Sequence, residues 1–150
     1  MTEKKLDCVI ITKPENRRYF SGFTGSSGML VISKETNHLL TDFRYIEQAT
    51  EQAELSQVVR YSTTPFEHLN AIVEEYDFRR IGFEGEYVTY DGYGKLSQCH
   101  NGVEWISVSL DPLRMIKDEL ELSSVIKAIQ IADKAYSHIV SFIRPGMKER

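Results

Sequence analysis

From Leu6 to Val108 the chain alternates short apolar runs with polar, helix-period segments; from Asp118 onward it holds one helical period. Leu6 to Thr12 predicts a first strand, with Cys8, Val9, Ile10 and Ile11 continuous enough to be buried on both faces. Thr12 then predicts the cap of a short helix, with Glu15 as capping-box partner, Pro14 in the first turn and Gly22 as the stop. Met29 to Ser33 and His38 to Thr41 read as two strands joined across Lys34–Asn37, a hairpin. Asp42 is placed to cap a second helix that carries Ile46, Ala49 and Ala53 on one face.

Gln57 to Tyr61 predicts another strand. Thr64-Pro65-Phe66-Glu67 predicts a helix start, with threonine as cap and proline at the first position. Phe66, Leu69, Val73 and Tyr76 then form its inward stripe. Arg80 to Glu84 reads as a strand and Val103 to Val108 as a final one. Between them, Tyr90, Tyr93 and Leu96 keep a helical spacing across Val88 to His100, although Gly92 and Gly94 cost about 1 kcal/mol each there. The order predicts an α/β fold: a mixed, roughly six-stranded sheet flanked by helices.

Asp111-Pro112-Leu113-Arg114 marks a break, so residues 1–112 are read as the sheet domain and 113–150 as a different segment. Asp118 and Glu121 repeat the capping-box pattern. Leu122, Val125, Ile126, Ile129, Ala132, Tyr136, Ile139, Val140 and Ile143 then mark one face of an amphipathic helix of roughly seven turns. Pro145-Gly146 stops it. That stripe calls for a cover: the sheet domain, a partner, or the remainder of a larger protein. Burying each large apolar side chain is worth about 1.5–3 kcal/mol, which favours self-association of the chain as it stands.

A net charge of −4 gives no electrostatic case for nucleic acid or an anionic membrane. No stretch approaches the roughly 20 apolar residues of a membrane span, and the run after Met1–Lys5 is too short for a secretory signal. Cys8 and Cys99 form neither a disulfide framework nor a CxxC clip. These features point to the cytoplasm.

Chemistry has few places to sit. Ser21-Gly22-Phe23-Thr24-Gly25-Ser26-Ser27-Gly28 is either a helix stop with a tight turn or a loop lining a pocket. It is no phosphate cradle, because no Gly-Lys-Ser/Thr follows and its glycines precede a strand. His38, His68, His100 and His138 lack HExxH or i, i+4 spacing, which leaves no metal site among them. A Gly-x-Ser-x-Gly elbow is absent as well. Asp42-Phe43-Arg44-Tyr45 lies at a strand end where α/β folds place ligands, and Arg44 could fork a carboxylate. The plainer reading is that Asp42 caps and Arg44 pairs with a nearby acid. Tyr61, Tyr90 and Tyr93 read as core or rim aromatics. No complete catalytic set emerges.

Pro14-Glu15-Asn16-Arg17-Arg18-Tyr19-Phe20-Ser21-Gly22-Phe23-Thr24-Gly25-Ser26, followed by Leu40-Thr41-Asp42-Phe43-Arg44-Tyr45-Ile46-Glu47-Gln48-Ala49, resembles the creatinase/prolidase N-terminal domain of Xaa-Pro dipeptidases and aminopeptidases. Arg114 to Glu121 and Ile143 to Met147 resemble the linker and opening helix of that family's pita-bread catalytic domain. The resemblance implies a non-catalytic domain that packs on the catalytic domain of the same protein, helps shape the substrate cleft and contributes to a homodimer. It implies that Phe23, Thr24, Arg44 and Tyr45 lie toward the cleft. It also implies two divalent metals (manganese, cobalt or zinc), held by two aspartates, a histidine and two glutamates beyond the end of this chain, and no catalytic or metal-binding residue within it. The alternatives are a free-standing dimerising interaction module and part of a creatinase-like hydrolase that uses no metal.

Overall fold

The computed structural model describes residues 5–148. All but Lys5 of the opening Met1–Lys5 stretch lies outside them. Six strands form one mixed sheet: β1 (Cys8–Ile11), β2 (Met29–Ser33), β3 (Asn37–Asp42), β4 (Gln57–Tyr61), β5 (Arg80–Glu84) and β6 (Glu104–Val108). Their spatial order is β4-β3-β2-β1-β5-β6. β1–β2 and β2–β3 pair antiparallel, while β1–β5, β5–β6 and β3–β4 pair parallel. The mixed α/β sheet expected from the pattern is the observed fold.

Both faces of the sheet are covered, as the continuous apolar run of β1 requires. On one face Cys8, Ile10, Met29, Val31 and Leu40 pack against Leu69, Ile72 and Val73 of α3 (Phe66–Glu75) and Leu96 of α4 (Tyr90–Gln98). On the other face Val9, Ile11, Leu30 and Leu39 pack with Phe23 and with Ala49 of α2 (Ile46–Gln52). Strand periodicity explains the division, since neighbours along β1 point to opposite faces. Burial, with the nearby Asp7 charge, pushes the Cys8 thiol up to about 12, so it is an inert core group.

Three local expectations are corrected. Helix α1 (Pro14–Ser21) starts with Lys13 as its cap residue and no side-chain cap bond, rather than with a Thr12–Glu15 capping box. The amides just ahead of it are taken from the neighbouring strand: a Glu84 carboxylate oxygen accepts from the amides of Thr12 and Lys13, at 2.7 Å each. The other carboxylate oxygen accepts from Asn16 Nδ2 at 2.6 Å. Similarly, Pro65 occupies the cap position of α3 with no cap bond from Thr64. Its own carbonyl already receives the Leu69 amide at 2.9 Å. Tyr90 is 94% exposed, because Thr89 caps α4 through the Gly92 amide and leaves the tyrosine on the outer side of the first turn. Tyr90 is therefore not the core or rim aromatic expected, whereas Leu96 is buried and Tyr93 rests on the Phe83 ring.

The chain divides into two compact units after Asp111. The second contains α5 (Pro112–Met115) and α6 (Glu119–Phe142). The capping box at α6 is present in both directions, with the Glu121 amide on Asp118 Oδ1 at 2.8 Å and the Asp118 amide on Glu121 Oε2 at 2.9 Å. Its apolar positions, Leu122, Val125, Ile126 and Ile129 among them, are exposed. Beyond the helix, Gly146 adopts φ +92°.

Candidate functional site

The loop between α1 and β2 is shaped by what lies under it. Gly22 ends α1 in the left-handed region, at φ 76°. The chain then folds over Phe23, which is 1% exposed. A side chain at position 25 would run into the Phe23 ring, so the loop closes over that ring only because Gly25 has none. Tyr45 meets the ring edge-on, with centroids 6.0 Å apart.

Arg17 fixes the loop from beneath. It lies on the buried side of α1 and is 2% exposed. Its guanidinium donates to the carbonyls of Gly28 (2.6 Å) and Gly25 (2.7 Å) and stands 5.7 Å from the Phe23 centroid. Burial pulls its pKa below the ordinary arginine value. From the outer side, Tyr45 and Tyr61 hydroxyls bond the Ser26 and Ser27 hydroxyls at 2.7 and 2.9 Å. Thr41 Oγ1 donates to the Ser27 carbonyl at 2.7 Å. Thr24 joins the exposed amides of α2: its N–H and hydroxyl reach Gln52 Oε1, and Gln48 Nε2 donates to Thr24 Oγ1.

Asp42 caps a 3-10 turn (Phe43–Tyr45) through the Arg44 amide, and this turn leads into α2. Arg44 spends its fork on the same carboxylate, Nε to Oδ1 at 2.9 Å and Nη2 to Oδ2 at 2.8 Å. That pairing holds the Asp42 carboxyl well below the usual carboxylate range. The guanidinium also lies 5.3 Å from the Tyr45 ring centroid. Phe23, Thr24, Arg44 and Tyr45 therefore belong to one neighbourhood of loop and α2. Thr24 and Arg44 are exposed, Tyr45 is half-buried, and Phe23 is the floor beneath them.

Sequence reasoning missed Arg17, Thr41 and the glutamines of α2, and it took Tyr61 for a core or rim aromatic, whereas the Tyr61 hydroxyl bonds the loop at Ser27. One signal was available for Arg17: with Asn16 and Phe20 it shares an inward-facing side of a short helix, an unusual place for polar residues.

A second hollow opens at the C-terminal ends of β1, β5 and β6, lined by Lys13, Asn16, Glu84, Tyr87, Leu110 and Asp111. α/β sheets commonly take ligands at such a position. Here the helix-start amides are already committed to Glu84, and Lys13 pairs with Asp111 at 3.2 Å. Among the described residues no group of three or more His, Cys, Asp or Glu could hold a metal ion, so a two-metal centre does not fit onto them. No helix among them is long and apolar enough to cross a membrane.

The model for the creatinase/prolidase N-terminal domain matches residues 1–116. An uncharacterized peptidase of Bacillus subtilis is 36% identical over 146 residues, covering 96% of this chain and 41% of that protein. Among solved structures, an Xaa-Pro dipeptidase from Bacillus anthracis superposes with a TM-score of 0.90 at 37% identity. It is matched over 99% of this chain and 42% of its own. A prolidase from Pyrococcus furiosus gives 0.86 at 28% identity, over 100% of this chain and 46% of its own. The chain spans about two fifths of the length of the curated relatives it matches.

Proposed function

The chain belongs to the creatinase/prolidase N-terminal domain family, and from that premise we propose that it is the N-terminal domain of an Xaa-Pro metallopeptidase. The observation that carries this reading is the match along 99% of the chain to an Xaa-Pro dipeptidase, of which it spans 42%. On this reading the chemistry resides in a catalytic domain of the same protein, residues 1–112 form the companion domain, and 113–150 lead into the catalytic one. The exposed apolar stripe of α6 supports that division, because a continuing domain would cover it. The two free cysteines suit a reducing cytoplasm.

The companion domain shapes the substrate cleft with the rim made by Thr24, Arg44 and Tyr45, floored by Phe23, and takes part in a homodimer. In the longer protein, Thr24→Val, Arg44→Ala and Tyr45→Phe are each expected to lower kcat/KM for an Xaa-Pro dipeptide about 3- to 10-fold. That range is the worth of one hydrogen bond, and the loss should appear chiefly in KM. Steady-state kinetics checks it, and unchanged kcat/KM in all three variants removes the rim from the cleft.

A further inference from the structure

Among the described residues, the hydrogen bonds of Arg17 all go to main-chain carbonyls, and none goes to a carboxylate. A buried guanidinium is costly unless its position does something for the fold or the site. The bonds it makes are directional. No peptide bond here is cis, so drawing the Gly25 carbonyl down onto Arg17 turns the Ser26 N–H to the opposite, outer side. Thr41 draws the Ser27 carbonyl in the same manner, which turns the Gly28 N–H away from Thr41. Among the described residues no main-chain acceptor takes the Ser26 N–H, and Ser26 is exposed. Its hydroxyl, bonded to that of Tyr45, lies beside it. An outward N–H above a buried guanidinium whose hydrogen bonds all go to main-chain carbonyls favours an acceptor oxygen.

We propose that Arg17 is a positioning residue which aims the Ser26 N–H outward to receive an acceptor oxygen, a carbonyl or carboxylate oxygen, of a peptide ligand. This rests on the reading of the loop as part of a peptide cleft. Arg17 itself touches no ligand and acts through the loop backbone.

The experiment is an NMR titration of the 15N-labelled 150-residue chain with glycyl-proline and, separately, glycyl-proline amide. The Ser26 amide resonance is expected to move with the acid alone if a carboxylate is the group, and with both if a carbonyl is. Arg17→Met should weaken that response at least tenfold. Arg17→Lys, which can reach one carbonyl rather than two, should fall between, and it decides the matter if Arg17→Met does not fold. A silent Ser26 amide in the unaltered chain overturns the proposal, and so does a folded Arg17→Met or Arg17→Lys chain that responds like the original. If Ser26 responds as expected while Thr24→Val, Arg44→Ala and Tyr45→Phe all leave the longer protein's kcat/KM unchanged, the cleft reading fails and the positioning role stands.

Discussion

Replacing Phe23 with alanine is expected to cost the sheet domain about 3–5 kcal/mol, the range for emptying a buried aromatic site. The ring is buried as the floor of the glycine loop and meets both Arg17 and Tyr45. Its loss removes the surface over which Gly25 and Gly28 close. Collapse cannot fill the gap easily, because the loop is held at fixed height by the bonds from Arg17 to two carbonyls. Phe23→Leu should recover more than half of the loss. Urea unfolding of the two variants checks this, and a Phe23→Ala cost below about 1 kcal/mol would show that the loop does not depend on its floor.

Glu84→Ala is expected to be nearly as damaging, at about 3–5 kcal/mol, because it orphans three donors at once. Glu84 is 3% exposed and binds the amides of Thr12 and Lys13 and the side-chain amide of Asn16. It thereby ties the start of α1 to the end of β5, and α1 in turn carries Arg17. Glu84→Gln keeps one acceptor oxygen and should lose roughly half as much. Its amide must also place a donor where a donor already stands. The measurement is again the unfolding free energy, with amide exchange along α1 as the local readout. An α1 that exchanges as slowly in Glu84→Ala as in the original chain would contradict the account.

Most of the sheet was legible because its strands are short apolar runs closed by polar turns. β2, β4 and β5 begin and end where the pattern changes. The capping box of α6 was legible too, since Asp118 and Glu121 are three residues apart and satisfy one another locally. The start of α1 was not, because its acceptor comes from Glu84, a partner 72 positions from Thr12. A local pattern at Thr12 and Glu15 then imitates a cap that the tertiary structure makes otherwise. The spacing of Tyr90, Tyr93 and Leu96 made the helix α4 legible, but not the exposure of Tyr90, because the cap at Thr89 decides where the first turn points. At the site, Asp42 and Arg44 could be paired from sequence because they are two residues apart. The clamp on the loop could not, since Arg17, Thr41 and Tyr61 come from three separate elements that meet only in the folded chain.

The central claim is that these residues accompany an active centre held elsewhere in a longer protein. The most direct measurement is proline release from an Xaa-Pro dipeptide by the purified 150-residue chain in the presence of manganese, beside the longer protein under the same conditions. The account predicts release by the longer protein and none above the no-enzyme background by the chain. Steady turnover by the chain itself, in proportion to its concentration, would contradict it.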